Sequence, residues 1–165
     1  MKIGIMGGTF NPIHNAHLLI AEMAREEYGL DRVIFITDGN PPHKSANVTA
    51  QQRFEMTHIA ISDNSAFEED DFEINRSEKS YTVNTLGYLK EKYPNDDLFF
   101  IIGEDSLNDF DKWYKPDKIL EMCSLLVFPR KSLKSLTETI KAVKEKMNGR
   151  IFPISAPVFR ISSTD

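Results

Sequence analysis

Two histidines three residues apart, His14 and His17, follow Gly7-Gly-Thr-Phe-Asn-Pro-Ile and precede a segment patterned as a helix. On a first helical turn that spacing puts both imidazoles on one face. Gly7 and Gly8 remove side chains where the chain leaves a short apolar run, so backbone N–H groups can approach an anion closely. A helix beginning near Asn15 adds oriented amides and the positive end of its dipole. The chemistry this suits is phosphoryl transfer, with two imidazoles donating to oxygens as charge builds. The same pair also admits a zinc site or two exposed histidines at a helix start. No third metal ligand lies nearby, and helical metal pairs usually sit four apart. Gly-Gly-Thr-Phe and Pro12 weigh against idle surface histidines.

The elements that must position these residues come from an alternation of short apolar runs and longer amphipathic ones. Strands are predicted at 3–6, 33–37, 72–74, 98–102, 125–128 and 151–154. Helices are predicted at about 17–28, 50–62, 82–93 and 132–148, with a shorter one near 116–122. Leu98-Phe-Phe-Ile-Ile is continuously apolar, as expected of a strand covered on both faces. Leu133, Leu136, Ile140, Val143 and Met147 form a core-facing helical stripe that Gly149 should stop. The fold class expected is α/β, an open, mostly parallel, doubly wound Rossmann-like sheet with helices on both faces. Ligands of such sheets bind beyond the carboxyl ends of the strands. Four of these ends are rich in Gly, Pro, hydroxyl or ionisable groups: from Gly7, from Asp38, from Gly103, and from Ser155 to Thr164. Their convergence on one rim predicts a site.

The chain has 165 residues, a length that suits a single domain spanning 1–165 with a core needing no staples. Twenty basic against 25 acidic residues give a net charge of −5, a poor footing for gripping nucleic acid. A small anionic substrate in a locally positive pocket remains compatible with that balance. Cys123, the one cysteine, excludes an internal disulfide and reads as a buried small hydrophobe. No apolar run reaches the roughly 20 residues of a membrane span, and the first residues lack a signal peptide, so the expected setting is cytoplasmic, away from membranes. The acidic run from Glu68 to Asp71 reads as a solvated loop entering a strand. No apolar stripe is surplus to the core, so homo-oligomerisation stays open.

Gly8-Thr-Phe-Asn-Pro-Ile-His-Asn-Ala-His resembles the signature of the HxGH nucleotidyltransferase superfamily, and Ile161-Ser-Ser-Thr resembles its second motif. Pro41-Pro-His-Lys, Ser80-Tyr-Thr, Gly103-Glu-Asp and Lys112-Trp-Tyr are similar to the nicotinate mononucleotide adenylyltransferase branch of bacterial NAD synthesis. The likeness runs over essentially the whole chain. Ala16 stands where the signature has its glycine, a small change that favours helix. Family members continue past the serine-threonine motif to an arginine and further helix, so the resemblance implies a chain lacking its C-terminal tail.

The resemblance implies transfer of AMP from ATP to nicotinate mononucleotide, giving deamido-NAD and pyrophosphate, with in-line alignment and charge stabilisation as the whole of catalysis. It assigns His14 and His17 as catalytic. Gly7, Gly8, Thr9 and Phe10 would shape the phosphate cradle, Ser162, Ser163 and Thr164 would donate from the opposite side, and Gly103 and Asp105 would take the adenosine. Asp105 also reads as an N-cap. Asn40, His43, Lys44, Thr82, Trp113 and Tyr114 would hold the acceptor, with Trp113 either stacked on the pyridinium ring or packed in the core. Mg²⁺ would be bound mainly through substrate phosphates and water, with no protein metal site. Two other readings stand beside this one: an HxGH adenylyl- or cytidylyltransferase with a different phosphorylated acceptor, and a non-catalytic nucleotide-binding module.

Overall fold

The alternation of strand and helix carries through a computed structural model, which describes residues 1–8, 10, 13–39, 49–76 and 81–155. The strands are β1 (Lys2–Gly8), β2 (Arg32–Thr37), β3 (Phe67–Asp70), β4 (Asp97–Gly103), β5 (Ser124–Phe128) and β6 (Ile151–Pro153). The helices are α1 (Asn15–Tyr28), α2 (Ala50–Ile61), α3 (Thr82–Lys92), α4 (Glu104–Asn108), α5 (Pro116–Met122) and α6 (Leu133–Lys146), with a 3-10 turn at Phe110–Lys112. The strands form one sheet in the order β3-β2-β1-β4-β5-β6, every pairing parallel.

Side-chain alternation along the strands decides which face each helix covers. Ile3, Ile5, Ile34 and Ile36 point into a core with Leu86 and Leu89 of α3, Ile119 and Leu120 of α5, and Leu136 and Ile140 of α6. Met6, Val33, Phe35 and Ile101 point the other way, onto Ile20, Ala21 and Ala24 of α1 and Ile61 of α2. The sheet is therefore doubly wound, as expected. Its connections part between β1 and β4, and their neighbouring carboxyl ends open a crevice there. Cys123 is buried, and burial pushes its thiol up to about 12, so it is inert filling. Among the described residues, no helix is long and apolar enough to cross a membrane.

Three expectations need correcting. The third strand is Phe67–Asp70, whereas 72–74 lie in a turn. The acidic run thus supplies most of a strand instead of a loop before one. It lies on the sheet edge, where charged residues are tolerated and discourage pairing with other chains. Asp70 is buried there because it accepts from the Tyr88 hydroxyl at 3.0 Å and from Lys92 Nζ at 3.1 Å. Finally, α6 stops at Lys146 with Met147 as its cap, before Gly149. Gly149 instead admits Leu120, whose methyl would lie 2.9 Å from any Cβ placed there.

Candidate active site

A cavity of about 330 Å³ occupies the crevice at the carboxyl ends of β1, β2, β4 and β5. Gly7 and Gly8, the last two residues of β1, form part of its floor, and Gly103 and Phe128 contribute from β4 and β5. His17 enters from α1, Asp38 follows β2, and Thr82 and Thr85 come from the first turn of α3.

The histidines are brought together as their spacing predicts. His14 is the N-cap of α1 and His17 its third residue. Their rings stack 5.7 Å apart with planes 20° from parallel. The His14 backbone N–H donates to His17 Nδ1 at 3.1 Å. That bond makes Nδ1 an acceptor, so in the neutral ring the proton resides on Nε2. Burial, helped by the proximity of His14, pushes the His17 imidazole down to about 4. Near neutral pH His17, which lines the cavity, is thus an uncharged donor through Nε2. His14 is half-buried beside it and is not among the cavity's lining residues.

Phe10 is placed in the core under this bend, 3% exposed and at a positive φ of 50°. Its ring meets His17 edge-on at 5.6 Å and Phe35 at 6.1 Å. It buttresses the imidazole instead of lining the cavity. A Cβ at Gly8 would lie 3.0 Å from that ring, so the glycine also serves the packing of Phe10.

Of the residues assigned to the acceptor by resemblance, Trp113 is both packed and at the cavity. Its ring packs against Phe110 at 5.0 Å and Phe100 at 6.1 Å, and it also lines the cavity. Thr82 lines the cavity at the start of α3. Tyr114 is 48% exposed, pairs with Tyr81 at 4.6 Å and lies off the cavity wall. Of the residues assigned to the adenosine by resemblance, Gly103 is the N-cap of α4 and lines the cavity under the Phe128 ring. Asp105 does not cap α4. It is an exposed residue of the first turn, paired with Arg130 at 3.1 Å. Thr9, Asn40, His43, Lys44, Ser162, Ser163 and Thr164 lie outside the described residues.

Sequence reasoning put the segments from Asp38 and from Gly103 on the rim without singling out Asp38 or Ser106, and it missed Glu73, Thr85 and Phe128 as cavity residues. Glu73 was hidden by the misplaced third strand. In the turn that replaces it, Glu73 Oε2 accepts from Thr85 Oγ1 at 2.6 Å. Withdrawal from water pushes its carboxyl up to about 7; the Thr85 hydrogen bond opposes this, Asp38 adds to it and Arg76 opposes it.

A pH dependence follows. An unfolded chain loses the Glu73 proton near its ordinary 4.5, whereas the folded chain keeps it to about 7. This group's contribution to stability is therefore greatest below pH 4.5, falls as pH rises to 7 and is level above. Glu73→Gln, permanently neutral, is expected to gain melting temperature over the wild type between pH 5 and pH 8. Thermal denaturation at both pH values checks this, and a gap that does not widen refutes the assignment.

Known proteins resemble this chain in family, sequence and fold. The cytidylyltransferase-like family model matches residues 5–165. A Citrifermentans bemidjiense protein described as a probable nicotinate-nucleotide adenylyltransferase is 47% identical over 144 residues, covering 85% of this chain and 67% of that one. A protein of the same description from Caldicellulosiruptor saccharolyticus is 40% identical over 167 residues, covering 100% of this chain and 84% of its own. Among solved structures, Plasmodium falciparum nicotinic acid mononucleotide adenylyltransferase complexed with NaAD shares the fold. It superimposes with a TM-score of 0.79 at 23% identity, over 99% of this chain and 80% of that one.

Proposed function

The chain belongs to the cytidylyltransferase-like family and, within it, to the nicotinate-nucleotide adenylyltransferases, and on that premise we propose how its cavity transfers AMP from ATP to nicotinate mononucleotide in NAD biosynthesis. An oxygen of the acceptor's 5′-phosphate attacks the α-phosphorus of ATP. A new P–O bond forms, the bond from the α-phosphorus to the bridging oxygen breaks, and pyrophosphate leaves with that electron pair. The attacking oxygen is already ionised near neutral pH, so no general base is needed.

The observation that carries the reading is His17. Its Nδ1 is occupied by the His14 amide, which leaves Nε2 as the donor of a side chain that lines a cavity floored by two glycines. A donor fixed in advance where charge accumulates is worth far more than one that must reorient. His14, stacked beside it, and the amides at the start of α1 favour the same charge. Gly103 takes the adenosine side. Thr82 and Trp113 take the nicotinate side, with Asn40, His43 and Lys44 assigned to the acceptor by likeness. Ser162, Ser163 and Thr164 are assigned to the phosphates on the same ground.

The donor set fits Mg²⁺ arriving with ATP. Among the described residues no three His, Cys, Asp or Glu side chains cluster as a metal cage, and the carboxylates on the cavity wall are Asp38 and Glu73. An ion that dehydrates reluctantly needs few protein ligands. Bound through phosphate oxygens and water, it would offset the charge of the leaving pyrophosphate. The substrates are soluble nucleotides, which suits a cytoplasmic setting.

The test is pyrophosphate release with Mg–ATP and a panel of acceptors: nicotinate mononucleotide, nicotinamide mononucleotide and phosphopantetheine. Nicotinate mononucleotide is expected to give the highest kcat/KM. Preference for phosphopantetheine, or no release with any acceptor, overturns the reading.

A further inference from the structure

Two adjacent residues in the turn after β3 grip two residues three apart on α3. The Phe72 ring lies on that of Tyr88, centroids 4.2 Å apart and planes within 14° of parallel. Next to it, Glu73 Oε2 accepts from Thr85 Oγ1 at 2.6 Å. Thr85 and Tyr88 share a helix face, so the turn is pinned to α3 at two points. On its other side the turn meets the backbone just past β2. A Cβ at Gly39 would lie 2.1 Å from the Glu73 carbonyl oxygen, a separation only glycine escapes. Glu73 thus stands between the end of β2 and the first turn of α3, the turn that brings Thr82 to the cavity.

We propose that Glu73 is a positioning residue for the acceptor: through Thr85 it fixes the first turn of α3 and so sets the cavity wall on which the nicotinate end of the acceptor rests. The inference depends on the acceptor-side reading above. Glu73 acts through Thr85 and takes no part in the chemical step. Its effect should therefore fall on acceptor binding and spare the ATP side, assigned above to Gly103 and, for the phosphates, to the β1 glycines and His17. A displaced binding group of this kind costs about tenfold or more.

Kinetics of Glu73→Ala, Glu73→Gln, Thr85→Val and the Glu73→Ala/Thr85→Val double variant test it. Glu73→Ala and Thr85→Val are each expected to raise the acceptor KM about tenfold and leave the ATP KM within about twofold. The double variant should be no worse than either single one, because both remove the same bond. Glu73→Gln should recover most of the acceptor affinity, since its amide oxygen still accepts from Thr85. Equal losses for both substrates overturn the proposal, as do a silent Thr85→Val or a Glu73→Gln as impaired as Glu73→Ala. If Glu73→Ala fails to fold, Thr85→Val and Glu73→Gln decide by the same criteria. Wild-type preference for another acceptor overturns the functional reading alone, because the split is then read with that acceptor. A wild type silent with every acceptor overturns both.

Discussion

Replacing His17 with alanine is expected to lower kcat by about two to three orders of magnitude, the usual cost of deleting one preorganised donor to a developing negative charge. Both KM values should move only a few-fold, because the donor matters most where charge is greatest, in the transition state. Steady-state pyrophosphate release measures the effect. Thermal denaturation must accompany it, since His17 also accepts from the His14 backbone N–H at the start of α1. Losing that cap costs about 1 kcal/mol of stability. Such a loss leaves the variant folded at assay temperature and cannot account for a hundredfold fall in rate. His17→Gln, which restores a neutral donor at a less defined position, should fall between the two. A kcat unchanged in the alanine variant would remove His17 from the mechanism and with it the chief support for phosphate chemistry at this end of the sheet.

The histidine pair was legible because its signal is local. Two glycines, a helix start and a spacing of three fix geometry within one turn, and no distant residue has to be known. The sheet was legible for a similar reason, since short, continuously apolar runs between amphipathic helices leave few alternatives. Glu73 was not legible. It belongs to a segment, Phe67 to Arg76, in which carboxylates outnumber apolar residues, and the strand before it is an edge strand whose charges are paired by Arg32, His58 and, on α3, Lys92. Only after Lys92 and Tyr88 are seen around Asp70 does a strand of Phe-Glu-Glu-Asp become sensible. The turn then shifts into place behind it and carries Glu73 to the cavity. Asp105 shows a different limit. Its sequence context suits a helix cap, yet Gly103 takes the cap, while the carboxylate assigned to the sugar pairs with Arg130 at the surface. The partners of these two carboxylates, Lys92 and Tyr88 for Asp70 and Arg130 for Asp105, are distant in the chain, and nothing in a single sequence encodes them in readable form.

Trp113 tests the acceptor side with the second-largest effect. Its ring is engaged by Phe110 and Phe100, and the residue also lines the cavity. Truncation to alanine would remove both contacts at once and confound them, with a packing loss of about 3–5 kcal/mol for a fully buried ring and less for this half-buried one. Trp113→Leu separates the two contacts. Leucine keeps apolar surface against the two phenylalanines but has no flat π face for a cationic pyridinium ring. A desolvated cation–π contact is worth about 2 kcal/mol, which converts to a roughly 30-fold rise in the acceptor KM. The ATP KM should stay within about twofold, and the melting temperature should fall by only a few degrees. Trp113→Phe, which retains a weaker π face, should lose less than leucine does. If leucine instead raises both KM values equally, or phenylalanine is no better than leucine, the ring serves the core alone and the acceptor's pyridinium must be recognised elsewhere on the wall.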